Sequence, residues 1–227
     1  MPCAFAPGNH EIEPYCSWTT FAAFNARFRM SYAVDATSGQ NLWWATTIGP
    51  ARFIFLSSFS DYSKRSPQYA FLTQELAAYK AQLGTESQTA SWLIVLFHVP
   101  LYNTNKVHQG EGEDFRKALE PLIAPVADVI YCGHVHAYER TTRVYDYQVS
   151  NDAPFYVNIG AGGNREGPAK KWLAETDWSV VRTATFGHGE LTFTNATHAL
   201  WEWHANIDSE RVVMDSVVFQ SRYSAHN

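Results

Sequence analysis

Three short runs in this chain, residues 52–56, 92–97 and 126–131, are almost wholly apolar, and two stretches with helical spacing separate them. An apolar run of this length is the mark of a strand covered on both faces. The alternation strand, helix, strand, helix, strand then defines a layered α/β architecture. In the first helical stretch Ser66 is the expected N-cap and Pro67 the first helical residue. Leu72, Leu76, Tyr79 and Leu83 follow on one face, with Gly84 as the stop. In the second, Asp114 is the expected cap, and Phe115, Leu119 and Leu122 face inward.

Beyond residue 150 the pattern changes. Residues 155–159, 191–194, 199–204 and 212–219 read as strands, and the segment around Asn195 as a hairpin turn that sets Leu191 and Phe193 towards the neighbours of Leu200. Gly160, Gly162 and Gly163 mark a loop that needs glycine's backbone freedom. With no Pro/Ser-rich linker, repeat or low-complexity stretch, the expectation is one domain over residues 1–227 whose last part, 150–227, is mostly antiparallel.

Composition removes several classes. Seventeen Lys+Arg against 22 Asp+Glu give a net charge of −5 with no basic cluster, which argues against a nucleic-acid partner. Charged residues make up only 17% and aromatics 15%, which rules out global disorder. The longest apolar run, 92–97, falls far short of the roughly 20 residues that span a bilayer, so no membrane helix is expected. Cys3, Cys16 and Cys132 form no closed disulfide framework; a Cys3–Cys16 bridge and buried free thiols both stay open. Asn195-Ala196-Thr197 fits the N-glycosylation acceptor, which tilts the compartment towards secretory, although the first seven residues carry no leader pattern.

Metal-type ligands concentrate after the core strands or at a glycine turn: Gly8-Asn9-His10-Glu11, His98-Val99-Pro100, and Gly133-His134-Val135-His136. Ligands of open α/β sheets bind beyond the carboxyl ends of the strands, where His98 and the His134/His136 pair fall. Alternate residues of an extended segment share a side about 6.5 Å apart, so two such histidines can each hold one metal of a close pair. His188, His198, His204 and His226 lack convergent partners in sequence and are read as surface or packing residues.

Together these segments resemble the purple acid phosphatases among the calcineurin-like metallophosphoesterases. The resemblance rests on Gly8-Asn9-His10-Glu11, on His98-Val99-Pro100-Leu101-Tyr102-Asn103, and on Gly133-His134-Val135-His136-Ala137-Tyr138-Glu139-Arg140. It continues through Tyr156 to Asn164, Phe186-Gly187-His188-Gly189 and Trp203-His204-Ala205-Asn206, in the family's order. It implies two packed mixed sheets flanked by helices and a binuclear centre of iron plus zinc, manganese or iron. Asn9, His98 and His134 would bind the divalent ion and His136 the iron. His10 would contact the substrate phosphate, and His108, tuned by Glu111, would bind substrate and protonate the leaving alkoxide. Tyr138, Glu139 and Arg140 would support the loop.

The implied reaction is hydrolysis of a phosphoric monoester by a metal-activated hydroxide, best at acid pH if the leaving-group acid must stay protonated. The implied partner is a small phosphorylated substrate, the implied location secreted or lysosomal/vacuolar, and a homodimer is left open. Two earlier segments of the family's pattern, which supply an aspartate, a bridging aspartate and a tyrosine, are not in this sequence. Asp35 and Asp61-Tyr62 stand in the wrong order and context, and Ala161 replaces a common aspartate. The expectation is therefore a truncated chain, lacking N-terminal strands, with four neutral ligands, weak or single metal occupancy and little turnover. The alternative is a non-catalytic metal- or phosphate-binding remnant. A carbohydrate-binding β-module is disfavoured, because Trp201 and Trp203 alternate as core residues do.

Overall fold

The structure, a computed structural model, describes residues 3–13, 20–30, 41–207 and 210–223; Cys16, Asp35 and His226 lie outside them. A short helix α1 (Ala22–Arg27) precedes the hairpin β1 (Trp44–Ile48) and β2 (Ala51–Phe55). Then come α2 (Pro67–Gln82), β3 (Trp92–Leu96), α3 (Glu113–Ile123) and β4 (Val129–Cys132). The remainder is β5 (Tyr138–Tyr145), β6 (Gln148–Val149), β7 (Phe155–Ile159), β8 (Ser179–Thr183), β9 (Gly187–Phe193), β10 (His198–Ile207) and β11 (Glu210–Gln220).

Strands β2, β3, β4 and β7 run parallel in that spatial order, with β1 antiparallel at one side and β5 antiparallel to β7 at the other. Strands β6 and β8 both pair with β5 and complete this mixed sheet of eight. The second sheet, β9-β10-β11, is antiparallel throughout. The expected layered α/β fold with two sheets is present. Its second sheet, however, is antiparallel rather than mixed, because hairpins and not helices connect its strands.

Helix α2 starts as its sequence implies: Ser66 Oγ accepts from the Tyr69 backbone N–H at 3.1 Å, and Pro67 opens the first turn. Gly84 follows at φ +72°. Helix α3 corrects the expectation for Asp114. Gly112 is its N-cap, and Asp114 lies exposed in the first turn beside Glu113, where carboxylates meet the positive end of the helix. Its inner face carries Phe115, Leu119 and Ile123, with Leu122 only half-buried. Strand β4 also begins later than its apolar run, because Val126 and Ala127 form the turn out of α3.

The sheet is covered on both sides. Ile54, Leu93, Val95 and Ile130 pack against Leu72, Leu76, Leu119 and Ile123 of the helices. On the opposite face Trp92, Ile94, Val129 and Val157 meet Trp201, Trp203 and Phe219 of the second sheet. Each fully buried aliphatic side chain of this size contributes about 1.5–3 kcal/mol. Leu191 and Phe193 stand opposite Trp201 and Ala199, whereas Leu200 pairs with Thr192 on the other face. Directly paired residues share a face, so the two apolar side chains lie with Trp201 and Ala199, the neighbours of Leu200.

Charged groups also join the layers. Arg140 donates to both oxygens of Asp215 at 2.7 and 3.0 Å, Tyr138 donates to the same carboxylate, and Trp201 Nε1 donates to Tyr138 Oη at 2.9 Å. Burial raises the Asp215 pKa, but the hydrogen bonds from Arg140 and Tyr138 outweigh it and hold the group below its ordinary value.

Candidate metal centre

Strands β4 and β5 follow one another in sequence, yet β7 lies between them in the sheet. Residues 133–137 must therefore arch over the carboxyl end of β7. Two tight contacts shape the arch, Val135 N to Gly133 O and Ala137 N to Val135 O, each 2.7 Å. His134 sits at φ +65°, a conformation that costs a non-glycine residue on the order of 1–3 kcal/mol and persists where surroundings enforce it. The chain can lie this close because residue 160 has no side chain: a Cβ there would fall 2.1 Å from Val135 O. The buried Asn158 amide donates from below to Val135 O at 3.0 Å and Ala137 O at 2.8 Å.

His98 leaves the neighbouring strand β3. Its backbone N–H and that of Val99 both donate to Ser58 Oγ, at 3.2 and 3.1 Å, and Gly133 N donates to His98 O at 2.9 Å. Asn9 lies in a single 3-10 turn, Asn9–Glu11, closed by Gly8 N donating to Glu11 Oε2 at 2.8 Å. A Cβ on Gly8 would lie 2.7 Å from His98 Cε1, so the turn and the imidazole touch only because glycine stands there.

These three segments deliver their donors to one point. His98 Nε2 lies 3.0 Å from Asn9 Oδ1 and 3.2 Å from His134 Nδ1. With metal–nitrogen bonds of about 2.0–2.1 Å, donors sharing one ion stand about 2.9 Å apart in octahedral and about 3.4 Å in tetrahedral geometry. Both spacings fall in the range of donors that share one cation. His134 Nε2 meets Glu111 Oε2 at 2.7 Å, which places the proton on Nε2 and turns the Nδ1 lone pair towards His98. Burial, then the facing imidazoles of His134, His10, His108 and His136, push His98 down to about 4, which keeps it neutral. Burial also lowers His134, against the opposing pull of Glu111. Phe59 walls the pair, its ring 5.8 Å from that of His98 and 6.3 Å from that of His134.

Glu111 also takes His108, whose Nδ1 lies 2.8 Å from Oε1, and the His108 and His134 rings are 3.9 Å apart. The loop carrying His108 is anchored by buried Glu139, which accepts from Thr104 N at 3.0 Å, from Thr104 Oγ1, and from Ser179 Oγ at 2.6 Å. His136 is half-buried and turns Nδ1 towards Glu166 Oε2 at 3.6 Å. His10 is exposed beside Asn9, close enough to lower the pKa of His98. Of the residues singled out in sequence, Asn9, His98, His108, Glu111 and His134 thus form one contact chain, with His10 and His136 at its margin. Asn195 lies apart, exposed in the β9–β10 turn, its Oδ1 accepting from the backbone N–H groups of Thr197 and His198, each at 2.8 Å.

Ser58, Phe59 and Asn158 were not legible as site residues. Ser58 and Phe59 carry no pattern, but Asn158 is the one polar residue in the otherwise apolar strand β7. A second grouping, Glu190, Glu202 and His204 on the outer face of β9 and β10, already holds a cation. The Arg211 guanidinium donates to His204 Nδ1 at 2.9 Å and pairs with Glu190.

Comparison with known proteins gives the family. Residues 1–138 match the calcineurin-like phosphoesterase family, and residues 153–216 match the iron/zinc purple acid phosphatase-like protein C family. Purple acid phosphatase 18 of Arabidopsis thaliana is 42% identical over 97% of the chain and 49% of its own length. Purple acid phosphatase 1 of Ipomoea batatas is 38% identical over 99% and 50%. Phosphoenolpyruvate phosphatase of Allium cepa is 35% identical over 100% and 49%. A solved structure of purple acid phosphatase PPD1 from yellow lupin (Lupinus luteus) seeds superposes with a TM-score of 0.75 at 25% identity, over 95% of this chain and 40% of that one. The chain belongs to the calcineurin-like phosphoesterases and, within them, to the purple acid phosphatases. It spans about half the length of the curated relatives it matches.

Proposed function

We propose that this chain is a metal-dependent phosphoric monoester hydrolase of the acid phosphatase type, organised as one catalytic domain over residues 1–227. The observation that carries the reading is that His98 Nε2 lies 3.0 Å from Asn9 Oδ1 and 3.2 Å from His134 Nδ1. These three residues would hold one ion and His136 would serve a second, the pair being iron with zinc, manganese or iron. Metals bound there supply Lewis acidity and lower the pKa of water to roughly 7.

The chain's own groups do the rest. His10, exposed beside Asn9, is placed to hydrogen-bond a phosphate oxygen of a small phosphorylated substrate. His108 has Nδ1 committed to Glu111, which leaves Nε2 to face a departing alkoxide. Glu111 joins that acid to His134, so proton donor and metal ligand are held by one carboxylate. Asn195, exposed on its turn, suits a glycan and with it a secreted or vacuolar setting.

The four donors are neutral and offset none of the charge of two cations, which favours a second reading, a metal- or phosphate-binding protein without turnover. Metal content and hydrolysis of an aryl phosphate at acid pH, measured on the wild-type chain and on a His134→Ala/His136→Ala variant, separate the two. Two metal equivalents with turnover that the variant loses support the hydrolase. One equivalent or none, without turnover, supports the binding protein.

A further inference from the structure

We infer that Asn158 is the positioning residue of His136: its side-chain amide fixes the direction in which that imidazole leaves the arch. The consequence for metal binding rests on the reading of His136 as a ligand given above; the positional claim does not.

The arch has no ladder of its own, because it crosses the end of β7 instead of pairing beside it. The direction of the His136 side chain is therefore set by the orientation of the peptides around it. Three consecutive carbonyls define those peptides. Val135 O and Ala137 O, on either side of His136, both accept from Asn158 Nδ2, and His136 O accepts from Ala169 N at 2.8 Å. Both hydrogens of one amide are thus spent on bracketing one residue.

The bracket itself cannot drift. Asn158 is 4% exposed, and its register pairs it with Cys132 of β4 on one side and Glu139 of β5 on the other. Those residues flank the arch, so the amide is fixed to both ends of the segment it holds. A β-branched residue would suit the strand itself better, but it would leave two buried carbonyls without donors. An amide at this position is explained by what lies above the strand, not by the strand.

The test uses the full chain with 15N-labelled histidine, comparing wild type with Asn158→Asp, which presents acceptors to two carbonyls, and Asn158→Ser, which keeps one donor and guards against loss of fold. The expected result is that the ring signals of His136 move or broaden more than those of His10 and His108 in both variants. Uniform change across all site imidazoles, or an unmoved His136, overturns the proposal. Cobalt(II) titration, read by visible absorption, then tests the functional arm. Asn158→Asp is expected to weaken binding about 10–100-fold in the wild-type background and to have no further effect in His136→Ala. If His136→Ala alone leaves cobalt uptake unchanged, the ligand reading of His136 fails, while the ring signals still decide the role of Asn158.

Discussion

His98 and His134, separated by 36 positions, meet nitrogen to nitrogen at 3.2 Å because they leave two adjacent parallel strands at their carboxyl ends. Both rings are held towards the neutral form, so the contact pairs one lone pair with one N–H. One of the two rings, His134, is buried and the other, His98, half-buried.

The first prediction concerns that pair. His98→Ala or His134→Ala should weaken cobalt(II) or zinc binding by more than the roughly 10–100-fold that loss of a supporting partner costs. Isothermal titration checks it, and unchanged affinity in both variants would remove the centre from consideration.

Glu111→Gln should weaken the same binding about 10–100-fold, since it releases the tautomer of His134 without touching a ligand. The Glu111 side chain is 49% exposed, so the thermal midpoint should stay within about 2 °C of wild type. A large fall in the midpoint together with intact metal affinity would contradict this assignment.

Gly8→Ala isolates the contact between the turn and the imidazole. Gly8 has φ −104°, which alanine adopts freely, so what matters is the approach of its Cβ to His98 at 2.7 Å and, less closely, to Glu11 Oε2 at 3.1 Å. The expected cost is about 1–3 kcal/mol of stability with loss of metal affinity, read from urea unfolding and titration side by side.

Asp128 gives a pH signature away from the site. Burial raises its pKa to about 6, against backbone N–H bonds from Arg222 and Leu93. The folded chain therefore keeps this proton where the unfolded chain has lost it. The contribution of Asp128 to stability should fall as pH rises from the ordinary carboxylate value through about 6, and level off above. Asp128→Asn lacks the titration and retains only one good acceptor. Urea midpoints between about pH 4 and pH 7 should show the decline in wild type and not in the variant. Asp215, held low by Arg140, acts in the opposite sense, and its stabilisation disappears only as pH falls below the usual carboxylate range.

The parallel strands and α2 were legible because their signals are local: apolar runs, Ser66 before Pro67, helical spacing to Gly84. Strand β5 was not. Its sequence, with Glu139, Arg140 and Arg143, reads as polar, and pattern reading gives such groups no place inside. Glu139 and Arg140 are buried because their partners arrive from far along the chain: Asp215 for Arg140, 75 positions on, and Thr104 and Ser179 for Glu139. The histidines of the site were readable from their places after strands, but most of the groups that aim them were not. Ser58 and Asn158 each act through a pair of hydrogen bonds across the fold, which no periodicity encodes; only Glu111, three residues from His108, was legible.

The insertion of β7 between two strands that precede it sets an order of events. A chain emerging from the ribosome carries both histidines of the arch once residue 136 has been made, yet nothing then holds them in place. The span they must cross is filled only when residues 155–159 enter the sheet. Closure of this long-range pairing comes late, and slowly by comparison with a hairpin. Metal uptake by the nascent chain would therefore mark the moment β7 takes its place, well after the ligands have been synthesised.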